Sequence, residues 1–95
     1  MAQLNQNKEE NQLITLKIQT KHGFSFNDKI KALTSYNEKG VFDVLPQHEN
    51  FISVIRNRIL IHLADGKDKE IKIGTGVLKV YENEVHIFLE ITENT

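Results

Sequence analysis

The segment Ile14-Thr15-Leu16-Lys17-Ile18-Gln19-Thr20 carries apolar side chains at every second position, with Thr15, Lys17 and Gln19 between them. Successive side chains of a strand point to opposite faces, so this period requires a sheet with one buried and one solvated face. A helix cannot use it, because positions two apart lie on opposite sides of a helical cylinder. The same alternation returns near the end of the chain, where Val85, Ile87, Leu89 and Ile91 are interleaved with His86, Phe88 and Glu90.

Between these two segments, turn chemistry divides the chain into short apolar runs. His22-Gly23 forms a turn, followed by short strands at Phe24 to Phe26 and about Ile30 to Ser35. Asn37-Glu38-Lys39-Gly40 is a polar turn ending in glycine, and Val41 to Leu45 runs into Pro46, which belongs at an edge or a strand end. Phe51-Ile52-Ser53-Val54-Ile55 fits either a strand or a helical turn, whereas Ile59 to Ala64 reads as a strand. Asp65-Gly66 marks a hairpin, Glu70 to Ile73 follows, Gly74-Thr75-Gly76 breaks or bulges the run, and Val77 to Tyr81 continues it. Glu82-Asn83-Glu84 is a further tight turn. No stretch sustains a helical period with caps. About eight short strands at close, regular spacing predict an all-β chain folded as an antiparallel β-sandwich.

Composition bounds the functions open to such a chain. Its 95 residues suit one domain, expected over residues 13–95 after a disordered, solvated lead-in at residues 1–12. Net charge is −1, without the basic excess that nucleic acid or anionic lipid would select. There is no cysteine, which excludes disulfides and thiolate metal sites. No apolar run approaches the ~18 residues of a membrane-spanning helix, and Met1 to Gln12 has the pattern of neither a signal peptide nor an organellar presequence.

Candidate catalytic and metal chemistry is weak. Among the four histidines, His62 and His86 fall on expected strands and His22 and His48 in turns, with no pair at metal-ligand spacing. Ser25, Ser35 and Ser53 have no nucleophile-elbow context. Gly74-Thr75-Gly76 lacks the Lys-Ser/Thr and following helix of a phosphate loop, and reads as a bulge. The expectation is a binding module without catalytic residues, metal, cofactor or small-molecule substrate.

Gly40-Val41-Phe42-Asp43-Val44-Leu45-Pro46-Gln47-His48 is similar to the G-x-F-G-I-L-P-G-H signature of ATP synthase epsilon subunits, called delta in mitochondria. Gly74-Thr75-Gly76-Val77-Leu78-Lys79-Val80 resembles the S/G-G-G-F-L-E-V segment of that family, and Ser25 to Ile30 parallels its L-F-S-G-x-V. The spacing of the three blocks fits from about Leu13 to Glu90. Departures occur at Asp43 and Gln47, which replace glycines, at Glu49-Asn50 in place of Ala-Pro, at Arg58 in place of a turn glycine, and at Lys79 in place of glutamate. Family members usually continue into a C-terminal helical hairpin that regulates ATP hydrolysis. The expectation for a chain ending at Thr95 is a short natural form or a shortened one, without hairpin inhibition.

The resemblance implies a non-catalytic central-stalk subunit of a rotary ATP synthase, coupling the gamma subunit to the c-ring during ion-driven ATP synthesis. It would sit peripherally on the cytoplasmic face of the inner membrane, without inserting into it. By position, the resemblance puts Tyr36, Asn37, Glu38, Lys39, Gly40, Val41, Phe42 and Asp43 on the c-ring side. It puts Thr20, His48, Phe51 and Ser53 on the gamma side. Docking needs apolar anchors within a polar rim, and Phe42, Val44 and Phe51 are candidates for that role or simply for the core. Two other readings stay open. One is a free-standing β-sandwich adaptor that has lost the rotary role, to which Asp43 and Lys79 lend weight. The other is a small carbohydrate- or ligand-binding, enzyme-like sandwich, which would require a concave pocket with perturbed ionisable groups.

Overall fold

The computed structural model describes residues 12–90. It is built from β1 (Ile14–Thr20), β2 (Gly23–Asn37), β3 (Gly40–Val44), β4 (Phe51–Leu63), β5 (Asp68–Tyr81) and β6 (Glu84–Leu89). The all-β sandwich expected from the alternation is the architecture observed, with six longer strands rather than about eight short ones. Three expected breaks lie within continuous strands: the polar Asn27 to Lys29 stretch pairs regularly within β2, while Arg56 to Arg58 in β4 and the glycine segment in β5 are irregularities of one ladder. Phe51 to Ile55 is strand, not helical turn. Of the expected lead-in only Gln12 lies among the described residues, exposed in a turn, and the strand end expected at Ile91 lies outside them.

The strands follow the order β1-β6-β5-β4-β2-β3, and a further β1–β2 pairing closes the first five into a ring. All pairings are antiparallel except β1–β6, which is parallel in the register Thr15↔Glu84 to Gln19↔Phe88. An odd number of strands cannot alternate direction all the way round, so one neighbouring pair must run parallel. That is why the purely antiparallel expectation fails at this one seam.

The ring is flattened into two layers because β4 and β5 bend together. Arg56 pairs with Thr75 but Asn57 with Ile73, which leaves Gly74 as an extra residue, and Asn57 takes a left-handed φ of 76°. One residue of excess bends a strand and sharpens its twist. The first halves of β4 and last halves of β5 then join β1 and β6, while their other halves join β2 and β3. The β2–β4 ladder also shifts, between Thr34 and Tyr36. Ser35, buried there, donates its hydroxyl to the Arg58 carbonyl at 2.9 Å, so neither polar group is stranded in the core.

Inward positions of every strand meet between the layers. Ile14, Leu16, Ile18, Ile30, Leu33, Val44, Ile55, Ile59, Ile61, Leu78, Val80, Val85 and Ile87 are buried and form one cluster. Truncating a branched side chain in such a core to alanine costs about 2–5 kcal/mol. Val44 is fully buried, so it belongs to the core and is removed from the candidate docking anchors.

Candidate protein-interaction site

The expected ring-side residues form the β2–β3 hairpin. Asn37 closes β2 and its Oδ1 accepts the Lys39 amide at 2.9 Å, an Asx turn that presents Glu38 and Lys39 to solvent. Gly40 then begins β3 at φ 114°, a conformation that other residues reach only with strain. Val41 is exposed and Phe42 points back over the core. Tyr36 Oη accepts from Arg58 Nε and Nη2 at 3.2 and 2.8 Å, and Arg58 Nη1 donates to Glu70 at 3.0 Å. These bonds, to Tyr36 foremost and then to Glu70, hold the guanidinium pKa above its ordinary value. Arg58 can replace a turn glycine because the left-handed φ falls one residue earlier, on Asn57.

Three of the four expected gamma-side residues lie against this hairpin. The Phe51 ring meets Phe42 and His48 edge-on, with both centroid distances 5.6 Å. Ser53 Oγ accepts from Asn37 Nδ2 at 3.1 Å and donates to the Val54 carbonyl. The two expected sets are therefore one contiguous surface. Thr20 is separate, at the β1–β2 turn, where its hydroxyl bonds the Gly23 carbonyl at 3.3 Å. The loop holding His48 is tied down from the other side: the Gln47 amide donates to Asn83 Oδ1 at 2.9 Å, and the Glu82 amide to Asn50 Oδ1 at 3.2 Å. Gln47 keeps a left-handed φ of 69° where the resembling signature has glycine.

A groove of ≈ 590 Å³ runs beside the hairpin, lined by Asn37, Glu38, Lys39, Phe51, Ile52, Ser53, Val54, Arg56 and Thr75. Arg58 and Glu84, whose ionisation is shifted, lie outside it. Among the described residues no three His, Asp or Glu side chains converge as a metal cage.

One surface escaped sequence reasoning. Ile52, Val54, Val77 and Phe88 are 67%, 61%, 42% and 50% exposed on the outer face of the first layer. The register puts Val54, Val77 and Phe88 in a row across β4, β5 and β6, with Ile52 beside Lys79 in the next row. Lys17, His86 and Gln19 flank them. His86 Nε2 lies 3.0 Å from Glu84 Oε1. That bond foremost lowers the Glu84 pKa; burial opposes it, and the charge of Lys17 adds a lesser lowering. A contiguous apolar patch with a polar rim marks a docking face. Its signal in the sequence is the run Phe51 to Ile55, which is apolar at both strand parities, and Phe88 in the polar register of the last strand.

The family profile for the ATP synthase, Delta/Epsilon chain, beta-sandwich domain matches residues 13–95. The chain belongs to this family. Relatives within it include the ATP synthase epsilon chain of a Nitratiruptor species, 35% identical over 78 residues, which are 81% of this chain and 60% of that one. The epsilon chain of Clostridium botulinum (strain Eklund 17B / Type B) is 35% identical over 79 residues, 82% of this chain and 59% of that one. The delta/epsilon-type domain thus spans about 60% of the length of these curated relatives. Among solved structures, a chain of the Euglena gracilis mitochondrial ATP synthase superposes with TM-score 0.77 at 21% identity, covering 82% of this chain and 51% of that one. A chain of the Tetrahymena thermophila ATP synthase central stalk and c-ring gives 0.68 at 9% identity, covering 81% and 63%. At such identities the likeness establishes the delta/epsilon fold.

Proposed function

We propose that this delta/epsilon-type domain is a non-catalytic stalk module that joins the gamma subunit to the c-ring. It would be held at the cytoplasmic membrane face through its partners and not by insertion. The observation that carries the reading is the exposed row Val54–Val77–Phe88, with Ile52, on the outside of a closed sheet. An apolar face of this kind needs a protein partner, and gamma is the one the family resemblance supplies. The polar hairpin Tyr36 to Asp43, at an end of the same sheet, is the contact offered to the ring loops. His48, Phe51 and Ser53 lie between the two, and Thr20 stands apart at the β1–β2 turn. A ring of hydrogen-bonded strands around a close-packed core deforms little, so torque received at one surface is delivered at the other.

The test is binding of purified cognate gamma to the wild-type chain and to Val54→Asp and Phe88→Asp. Burying a carboxylate at the centre of an interface should weaken Kd roughly tenfold or more, while the unfolding midpoint of the free chain stays put. Undiminished binding by both variants, or no binding by the wild type where a standard epsilon chain binds, refutes the proposal.

A further inference from the structure

Four side chains from four strands stand in line on the outer face of the second layer. Thr34 on β2 lies opposite Asp43 on β3, and its Oγ1 is 2.6 Å from Asp43 Oδ1. The same oxygen is 3.0 Å from Nε2 of His62 on β4. On the other side of that ring, Nδ1 is 3.0 Å from Oδ1 of Asp68, the first residue of β5.

The hydrogens in this line can be counted. An ionised carboxylate has no proton to give, so the Thr34–Asp43 contact uses the single hydroxyl hydrogen of Thr34. The Thr34 oxygen can then only accept from His62, which requires a proton on Nε2. Asp68 cannot donate either, so Nδ1 must also be protonated. All three contacts exist together only when His62 is the imidazolium cation.

We propose that His62 is a proton-operated clamp that fastens β5 to the β3 side of this layer. When His62 loses a proton, one carboxylate must be let go. The 2.6 Å contact between Thr34 and Asp43 has the length of a strong hydroxyl–carboxylate bond, and donating to Asp43 makes the Thr34 oxygen a better acceptor. Neutral His62 therefore keeps its proton on Nε2, still held by Thr34. Asp68, more than half exposed, is released to water. The other charges near the line leave this count unchanged. Glu70 on β5 is paired with Arg58 of β4, Lys31 is the unpaired residue of the β2 bulge beside Ala32, the residue opposite His62, and Asp65 accepts the Lys67 amide in the β4–β5 turn. If the proposed role at the ring is right, the layer carrying the Tyr36 to Asp43 hairpin is stiffest at the acid end of the histidine range. The clamp itself is independent of that role.

The experiment is NMR on the 95-residue chain across about pH 5 to 8, the range in which histidine changes charge. Below the His62 midpoint, both ring N–H protons and the Thr34 hydroxyl proton should be observed. Above it, the Nδ1–H signal should be lost while the ring takes the Nε2–H form and the Thr34 hydroxyl stays protected. Thr34→Val should abolish that uniform Nε2–H preference and Thr34→Ser should restore it. A ring that keeps Nδ1–H above the midpoint, or a preference untouched by Thr34→Val, overturns the proposal. Neither outcome involves gamma or the ring, so it is distinguishable from failure of the stalk reading.

Discussion

Gly76 and Gly74 sit two residues apart in β5, and an added methyl group should separate them sharply. A Cβ built on Gly76 would lie 2.8 Å from Leu89 Cδ2, 2.9 Å from the Phe88 carbonyl oxygen and 3.5 Å from Ile55 Cγ1. The leucine can turn aside, but the carbonyl belongs to β6, paired with β5 in the register Val77↔Phe88. Relief therefore means separating two strands or displacing part of the core. Overpacking of this kind costs about 1–3 kcal/mol, and the rigid backbone contact puts Gly76→Ala in the upper half of that range. For a domain this small, about 2 kcal/mol lowers Tm by roughly 8–16 °C. Gly74 is the extra residue of the bulge, its Cβ position is open, and its φ is not in the left-handed region. Gly74→Ala should lie within about 0.5 kcal/mol of the wild type, or gain about 0.4–1 kcal/mol by restricting the unfolded chain. Urea unfolding of both variants, compared at equal m-values, measures the difference. A neutral Gly76→Ala, or equal losses at both sites, would refute the close-approach argument.

Three further outcomes follow from the loops and the outer face. Asn83→Gly keeps the left-handed turn but removes the bonds to the Leu13 carbonyl and from the Gln47 amide, so denaturant unfolding should show a loss of about 1–2 kcal/mol. Gln47→Gly trades relief of backbone strain against a freer unfolded chain and should lie within about 0.5 kcal/mol of zero, whereas Gln47→Val should lose about 1–2 kcal/mol in the same assay. Because Glu84 has a lowered pKa when folded, its contribution is present above the ordinary glutamate value and is lost as pH falls through the lowered one. Glu84→Gln should therefore flatten the acid limb of a stability–pH curve slightly, the pair being exposed and screened.

The parts of the molecule legible in the sequence are those set by local rules. Period two at Ile14 to Thr20 and at Val85 to Leu89, and the Asp65-Gly66 and Glu82-Asn83 turns, specify strands and hairpins with no tertiary information. Long-range pairing decides what is not legible. Whether Arg56 to Arg58 turns or bends depends on Gly74 bulging in the neighbouring strand, and the parallel seam depends on how many strands close the ring. The hairpin and aromatic positions emerge from the motif blocks. Val44 stays ambiguous there, because alternation alone does not say which face of a short edge-like strand is inside. The apolar row at Val54, Val77 and Phe88 is hidden for a different reason. Its members come from three strands, and only the pairing register brings the out-of-phase Phe88 beside Val77 and Val54.

The parallel seam also dictates a schedule. As the chain leaves the ribosome, β1 must wait for one of its two partners, a strand made some 70 residues later. At a synthesis rate of about 5–20 residues per second, one edge of β1 stays open for roughly 4–14 s. During that interval β1 can hold β2 in a hairpin, but the core cannot close over Leu16 and Ile18 until Val85 and Ile87 arrive. A slow codon or a stall between Glu82 and Leu89 would thus prolong the exposure of the apolar face of β1. Nascent copies on neighbouring ribosomes would then have an edge to pair with before their own β6 exists.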